Sequence, residues 1–193
     1  CDLCISACPN GAIFAYNASP VETPTELLRV RTAGLLVQAP GKGFAIRVTH
    51  QLAVLDGLCN ECSNCDVYCP EQGAPFQLKE RVFLSLEDFN SAPARDGFCR
   101  QNNTLRARLG GAEFFLVPEL ESNRSTLCGE GFHFDLQWEP LEVREGRLTD
   151  SRDIDFDTAL LWRMKTVWES IFNSDAPNMV NPDPRAGRAE RLS

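Results

Sequence analysis

Cys59-Asn-Glu-Cys62-Ser-Asn-Cys65-Asp-Val-Tyr-Cys69-Pro70 is the stretch on which the fold turns. Its spacing is C-x2-C-x2-C-x3-C-P, the pattern that bacterial proteins use to hold iron–sulfur clusters. Three thiolates at intervals of three residues can reach three corners of one small cuboid. The short loops between them wrap that cuboid and can aim backbone N–H groups at its sulfurs, which offsets negative charge. The fourth thiolate lies beyond the loop, where the chain departs under Pro70. At the start of the chain, Cys1-Asp-Leu-Cys4-Ile-Ser-Ala-Cys8-Pro9 is the same pattern without its first member. Seven of the nine cysteines therefore fall in two short runs, each ending in Cys-Pro, an internal repeat of a small unit.

In two-cluster ferredoxins the fourth cysteine of each run serves the other cluster. On that connectivity one [4Fe-4S] cluster takes Cys8, Cys59, Cys62 and Cys65. The other takes Cys1, Cys4 and Cys69, with a fourth cysteine expected three residues before Cys1, so the chain is expected to be a fragment. Zinc is the main rival, because C-x2-C pairs are also zinc spacing. Zinc leaves the third cysteine of each run, the Cys-Pro ends and the repetition unexplained. A disulfide framework needs an oxidising compartment and suits smaller secreted domains, so a cytoplasmic protein with reduced thiols is expected. Cys99 and Cys128 fit neither run and are expected to be small buried hydrophobes.

The rest of the composition narrows the function. The chain has 193 residues, 43% hydrophobic and 24% charged, which is ordinary for a globular protein. A net charge of −8 argues against nucleic-acid binding, which needs a basic footprint. There is no apolar run long enough to span a membrane. Gly41-Lys42-Gly43 and Gly129-Glu130-Gly131 do not sit between a strand and a helix, so no dinucleotide or P-loop fingerprint is present. The two histidines, His50 and His133, carry no evident Ser, Cys or carboxylate constellation, and no catalytic site is identified.

Between the cysteine runs, Leu28–Gln38 and Gly43–His50 are rich in β-branched and aliphatic residues, and Ala39-Pro-Gly-Lys42 separates them, which predicts a hairpin. Thr104–Leu109 and Ala112–Val117 flank Gly110-Gly111 and predict a second hairpin. Phe132, Phe134, Leu136 and Trp138 alternate with His133, Asp135 and Gln137, a half-buried strand. Asp157 is an N-cap candidate for a helix whose face is Leu160, Leu161, Met164, Trp168, Ile171 and Phe172. The expected fold is α+β. A bacterial two-[4Fe-4S] ferredoxin-like module occupies 1–83, with a β-hairpin insert at 14–50. A small antiparallel β element comes next at 84–150, then a C-terminal docking helix at 151–176 and a disordered tail at 177–193.

The second run and the residues after it (Pro70-Glu-Gln-Gly-Ala-Pro-Phe76, Leu86-Glu-Asp-Phe89 and Asp96-Gly-Phe98) resemble one family in particular. This stretch is similar to the C-terminal end of large FAD-dependent NAD(P)H oxidoreductases of the selenate reductase iron–sulfur type, relatives of the glutamate synthase small subunit. The first run fits the same module. The resemblance implies upstream flavin and nicotinamide domains, in the same polypeptide or a partner redox subunit. It implies electron transfer from NAD(P)H through FAD to two [4Fe-4S] clusters on the cysteines named above. Ser63 departs from the pattern, since such loops commonly carry Gly there, and a Cβ is costly if φ is positive. The alternatives are a module in which the clusters are only structural, and a zinc-binding domain.

Overall fold

The first cysteine run forms a short helix, α1 (Leu3–Ala7), that ends at Cys8, and Gly11 at φ +61 turns the chain into β1 (Ile13–Asn17). The computed structural model describes residues 1–31, 34–70 and 73–184. An excursion runs through β2 (Val21–Thr23), β3 (Glu26–Arg31), β4 (Gly34–Pro40) and β5 (Phe44–Ile46). Strand β6 (His50–Leu55) then returns to pair antiparallel with β1, Ile13 against Val54 and Asn17 against His50. The second cysteine run carries two short helices, α2 (Asn64–Val67) and α3 (Pro75–Leu78), before β7 (Glu80–Phe83). Next come α4 (Leu86–Ser91), capped by Ser85 Oγ accepting from the Asp88 amide at 3.0 Å, and β8 (Gly97–Gln101).

Strand β7 lies parallel to β6, and β8 lies parallel to β7. Parallel neighbours cannot be joined by a tight turn and need a crossover connection. The second cysteine run is that crossover between β6 and β7, and α4 belongs to the next one. From β8 the sheet continues antiparallel through β9 (Thr104–Leu109), β10 (Ala112–Glu119), β11 (Arg124–Gly129), β12 (Phe132–Gln137) and β13 (Glu142–Leu148). The result is one nine-stranded mixed sheet in the order β1-β6-β7-β8-β9-β10-β11-β12-β13. Strand β14 (Ile154–Asp157) pairs instead with β3, forming the three-stranded sheet β14-β3-β4. Helix α5 (Thr158–Val167) comes after it, its N-cap Asp157 accepting from the Ala159 amide at 2.9 Å, and runs on as a wider π-helical turn over Trp168–Phe172.

One face of the large sheet supplies the core. Leu105, Ala107, Phe114, Leu116, Leu127, Phe132, Phe134 and Leu136 are buried there with Val30 of β3, Phe156 of β14 and Leu161, Met164, Trp168 and Ile171 of the C-terminal helix. Phe156 meets Phe134 edge-on at 5.2 Å and Phe132 at 5.6 Å, closing the small sheet onto the large one. Burial of each such side chain stabilises by about 1.5–3 kcal/mol.

This architecture overturns the expected α+β two-[4Fe-4S] ferredoxin-like module with a separate small β element. The protein is mostly β, and one sheet runs through both regions. The cause lies in β7 and β8, two short strands whose parallel pairing joins the antiparallel hairpins directly to the β1–β6 pair. The expected hairpin of the insert is also misplaced. Strand β3 pairs with β4, Leu28 against Val37, and β5 pairs with β2, Val21 against Ile46. The Pro-Gly stretch does not reverse the chain, because it is tied back to Thr25. The Gly41 amide bonds the Thr25 carbonyl at 2.7 Å, and the Gly43 amide bonds Thr25 Oγ1 at 3.0 Å. The hairpin β9–β10, the alternating strand β12 and the capped helix α5 lie where the sequence pattern puts them. Of the tail expected over 177–193, residues 185–193 lie outside the described residues; before them, Asn178 Nδ2 donates to the Ile171 carbonyl at 2.9 Å. Among the described residues no helix is long and apolar enough to cross a membrane.

Candidate metal centre

The two cysteine runs meet at the β1–β6 edge of the sheet. Cys8 stands at the end of α1, and Cys59 and Cys62 belong to the loop after β6, a loop that ends in α2 at Cys65. These four residues line one small cavity with Ile13, Asn60, Glu61, Ser63 and Phe76, of about 10 Å³ and partly open to solvent. Cys4 and Cys65 are buried, Cys8 and Cys59 half-buried, and Cys62 exposed. A second cavity, of about 180 Å³ and also partly open, is lined by Cys1, Cys4 and Cys69 together with Val48, His50, Gln51, Leu52, Pro70, Pro75 and Lys79. The sevenfold set read from the sequence is thus divided between two neighbouring spaces along the crossed connectivity. Cys4 and Cys65 pack in the same buried cluster as Ala12, Ile13 and Val54, so the two cavities share an apolar wall.

The loop Cys59–Cys65 is held in an unusual backbone. Glu61 has φ +55 and Ser63 φ +64, both in the left-handed region that a Cβ disfavours. Each such residue costs roughly 1–2 kcal/mol, so something must hold the loop in place. Arg81 of β7 and Arg95 do so from beneath. Arg81 Nη1 donates to Asp56 Oδ1 at 2.5 Å and Arg81 Nη2 to the Phe76 carbonyl at 3.1 Å. Arg95 reaches Asp56 Oδ1 at 2.9 Å and Glu61 Oε1 at 3.1 Å, while Arg81 Nη2 lies 3.5 Å from Glu61 Oε1. Asp56 and Arg81 are each only 10% exposed at the side chain, so this is a nearly dry clamp. Asp56 comes directly after β6 and Arg81 lies in β7; the parallel strand pair is what positions both beneath the cysteine loop.

Burial pushes the Cys4 and Cys65 thiols above their ordinary value. Cys65 and Cys69 raise Cys4 further, and Cys59 and Cys8 raise Cys65, because ionising one thiol beside another is unfavourable. Backbone amides oppose this, Phe76 at Cys65 among them, and the Ala12 amide donates to Cys8 Sγ at 3.3 Å. Among the described residues no three His, Cys, Asp or Glu side chains converge at the spacing of a single metal ion. The thiols surround a space. Four thiols dominate the donors of the first cavity, which suits a soft, positively charged group with several sulfur-accepting corners. On that chemistry an iron–sulfur cluster fits Cys8, Cys59, Cys62 and Cys65. The second cavity offers three thiols to such a group.

The remaining cysteines separate. Cys99 is fully buried against Phe83 and Phe89, as expected of a small hydrophobe. Cys128 is only half-buried, and its Sγ stands 3.1 Å from His133 Nδ1. His133 Nε2 is 3.1 Å from Asp135 Oδ1. The expectation that His133 has no cysteine or carboxylate beside it is therefore corrected. The signal was present in Cys128-Gly-Glu-Gly-Phe-His133: a reversal at Glu130-Gly131 sets residue 128 opposite 133. His50 bonds Asp2 Oδ1 at 2.6 Å at the rim of the second cavity.

Two curated proteins are similar to this chain. "Putative oxidoreductase YgfK" of Escherichia coli O157:H7 is 28% identical over 121 residues, which is 63% of this chain and 9% of that protein. The protein of the same name from strain K12 is 28% identical over 116 residues, 60% of this chain and 9% of its own length. The chain therefore matches less than a tenth of the length of these relatives. The likeness supports a relation to oxidoreductases. No family profile and no solved structure matches the chain.

Proposed function

We propose that this chain is the electron-transfer portion of a larger oxidoreductase, holding one [4Fe-4S] cluster on Cys8, Cys59, Cys62 and Cys65 and a second group on Cys1, Cys4 and Cys69. The observation that carries the proposal is the lining of one cavity by Cys8, more than fifty residues away in sequence, with the three cysteines of the second run. Such clusters supply one-electron chemistry when bound. The chain's own residues do the rest. Ile13 and Phe76 give the first cavity an apolar wall on its buried side. The Ala12 and Phe76 amides direct positive dipoles at sulfur, which favours the more negative charge state. Cys1 and Cys62 are exposed, so each cavity has an edge at the surface for exchange with a donor or acceptor. The shared wall of Cys4 and Cys65 keeps the two cavities close. The likeness to an oxidoreductase matched over 9% of its length supports placing donor and acceptor elsewhere. Flavin- and NAD(P)H-binding domains in the same polypeptide or a partner are the sources this reading assigns.

Anaerobic reconstitution with iron and sulfide tests the proposal. The chain is expected to retain iron and acid-labile sulfide in equal amounts, with visible absorption that dithionite bleaches. Cys65→Ser is expected to remove the labile sulfide of the first cavity. Retention of zinc in preference to iron, or iron without labile sulfide, overturns it.

A further inference from the structure

The outer face of the large sheet, remote from the cysteine cavities in the strand order, carries a second constellation. Arg106, Phe115, Cys128, His133 and Arg147 form one cross-strand row over β9, β10, β11, β12 and β13. Phe132 and Phe134 flank His133 along β12 and point to the core, so His133 and Cys128 face outward, away from it. The bonds within the row fix the proton positions. The Asp135 carboxylate can only accept, so His133 Nε2 carries the hydrogen at 3.1 Å and Nδ1 presents its lone pair to Cys128 Sγ at 3.1 Å. Asp135 Oδ2 is held in turn by Arg147 Nη2 at 2.6 Å. This is a thiol, a base in contact with it, and a carboxylate that fixes the tautomer of the base, the arrangement that activates a cysteine nucleophile.

We propose that Cys128 is a reactive thiol that exchanges with small anionic disulfides, with His133 as its base and Asp135 as the positioning residue. In the exchange the Cys128 proton passes to His133 Nδ1. The sulfur then attacks one sulfur of the disulfide. A new S–S bond forms, the old one breaks, and the leaving thiolate takes the proton. Cys128 is oxidised and half of the small disulfide is reduced, so the electrons balance. Two features choose the co-substrate. The site is an open, shallow sheet face, with the His133 side chain 26% and the Asp135 side chain 36% exposed, which admits a flexible small molecule. Arg147, 64% exposed at the end of the row, offers a cation to a carboxylate. Burial and the Asp135 charge hold the Cys128 thiol above its ordinary value, while Arg147 lowers it, so the resting group is the thiol and exchange depends on His133.

Peptide mapping reads Cys128 separately from the other cysteines, so failure of the cluster assignment leaves this test intact. The full chain is incubated anaerobically with oxidised glutathione, quenched at intervals and mapped by mass spectrometry. Cys128 is expected to form its mixed disulfide at least about tenfold faster in the folded chain than in the same chain unfolded in urea. His133→Ala is expected to lower the folded-state rate by about 100-fold, within the usual range for a general base, and imidazole in the buffer to restore part of it. The folded-to-unfolded comparison uses the unsubstituted chain, so it stands even if the variant fails to fold. No acceleration over the unfolded chain, or a folded His133→Ala variant that reacts at the original rate, overturns the proposal.

Discussion

Replacing Arg81 by methionine keeps most of the side-chain volume and removes the cation beneath the cysteine loop. Arg81 and its partner Asp56 are both 10% exposed, and Arg81 also satisfies the Phe76 carbonyl at 3.1 Å. Removing one member of a buried pair costs about 3–5 kcal/mol when the other charge is left alone. Here Asp56 keeps Arg95 at 2.9 Å, which places the pair at or below the lower end of that range, about 2 kcal/mol. The orphaned Phe76 carbonyl adds about 1 kcal/mol. The sum is about 3 kcal/mol. With a urea dependence of about 2 kcal/mol per molar, the unfolding midpoint falls by about 1.5 M. Fluorescence of Trp138, Trp162 and Trp168, none of which lies in the cysteine loop, reports global unfolding. The double variant Asp56→Asn with Arg81→Met is expected to cost less than the sum of the two single changes, because they share one interaction. A midpoint shift below about 0.3 M, or strict additivity, refutes the claim that this clamp holds the loop.

Gly97 opens β8 where a Cβ would stand 2.8 Å from the Arg81 carbonyl and 2.7 Å from the Phe83 ring, so Gly97→Ala is expected to disturb the β7–β8 seam and lower the urea midpoint, while Gly57→Ala, with open space around it, serves as a control that leaves it nearly unchanged. Burial, with the nearby Glu80 carboxylate, raises the Tyr16 hydroxyl above its ordinary value of 10.0. The stability this group contributes is full below pH 10.0 and is lost as pH rises toward the folded-state value, so Tyr16→Phe is expected to flatten stability above pH 10.0 in pH-dependent urea titrations. An alkaline limb of unchanged slope in Tyr16→Phe counts against it.

The sequence announces some of this structure and hides the rest for physical reasons. Cysteine spacing is a local signal with a strong chemical cause, and the fold brings Cys8 to the cavity that Cys59, Cys62 and Cys65 line. Gly110-Gly111 fixes a tight hairpin, the Phe132–Leu136 alternation fixes a half-buried strand, and Asp157 caps α5; each of these depends on neighbours in sequence. Strand β7 is Glu-Arg-Val-Phe, too short and too charged to declare itself, and its identity as a strand comes from partners in β6 and β8. Arg81 is informative only once that pairing is known, since the buried cation and the strained loop then prove to be one device. Likewise β14 is a strand only because β3 is present to receive it.

That last pairing has a consequence for how the protein is made. Arg29 meets Asp155 across the β3–β14 edge, 126 residues further along the chain. At a ribosomal rate of about 5–20 residues per second, β3 waits roughly 6–25 s for its neighbour. Both cysteine runs leave the ribosome before that interval ends, while the outer flank of the insert is still unpaired. The order of synthesis thus keeps the edge of β3 open for an interval in which both cysteine runs are already outside the ribosome.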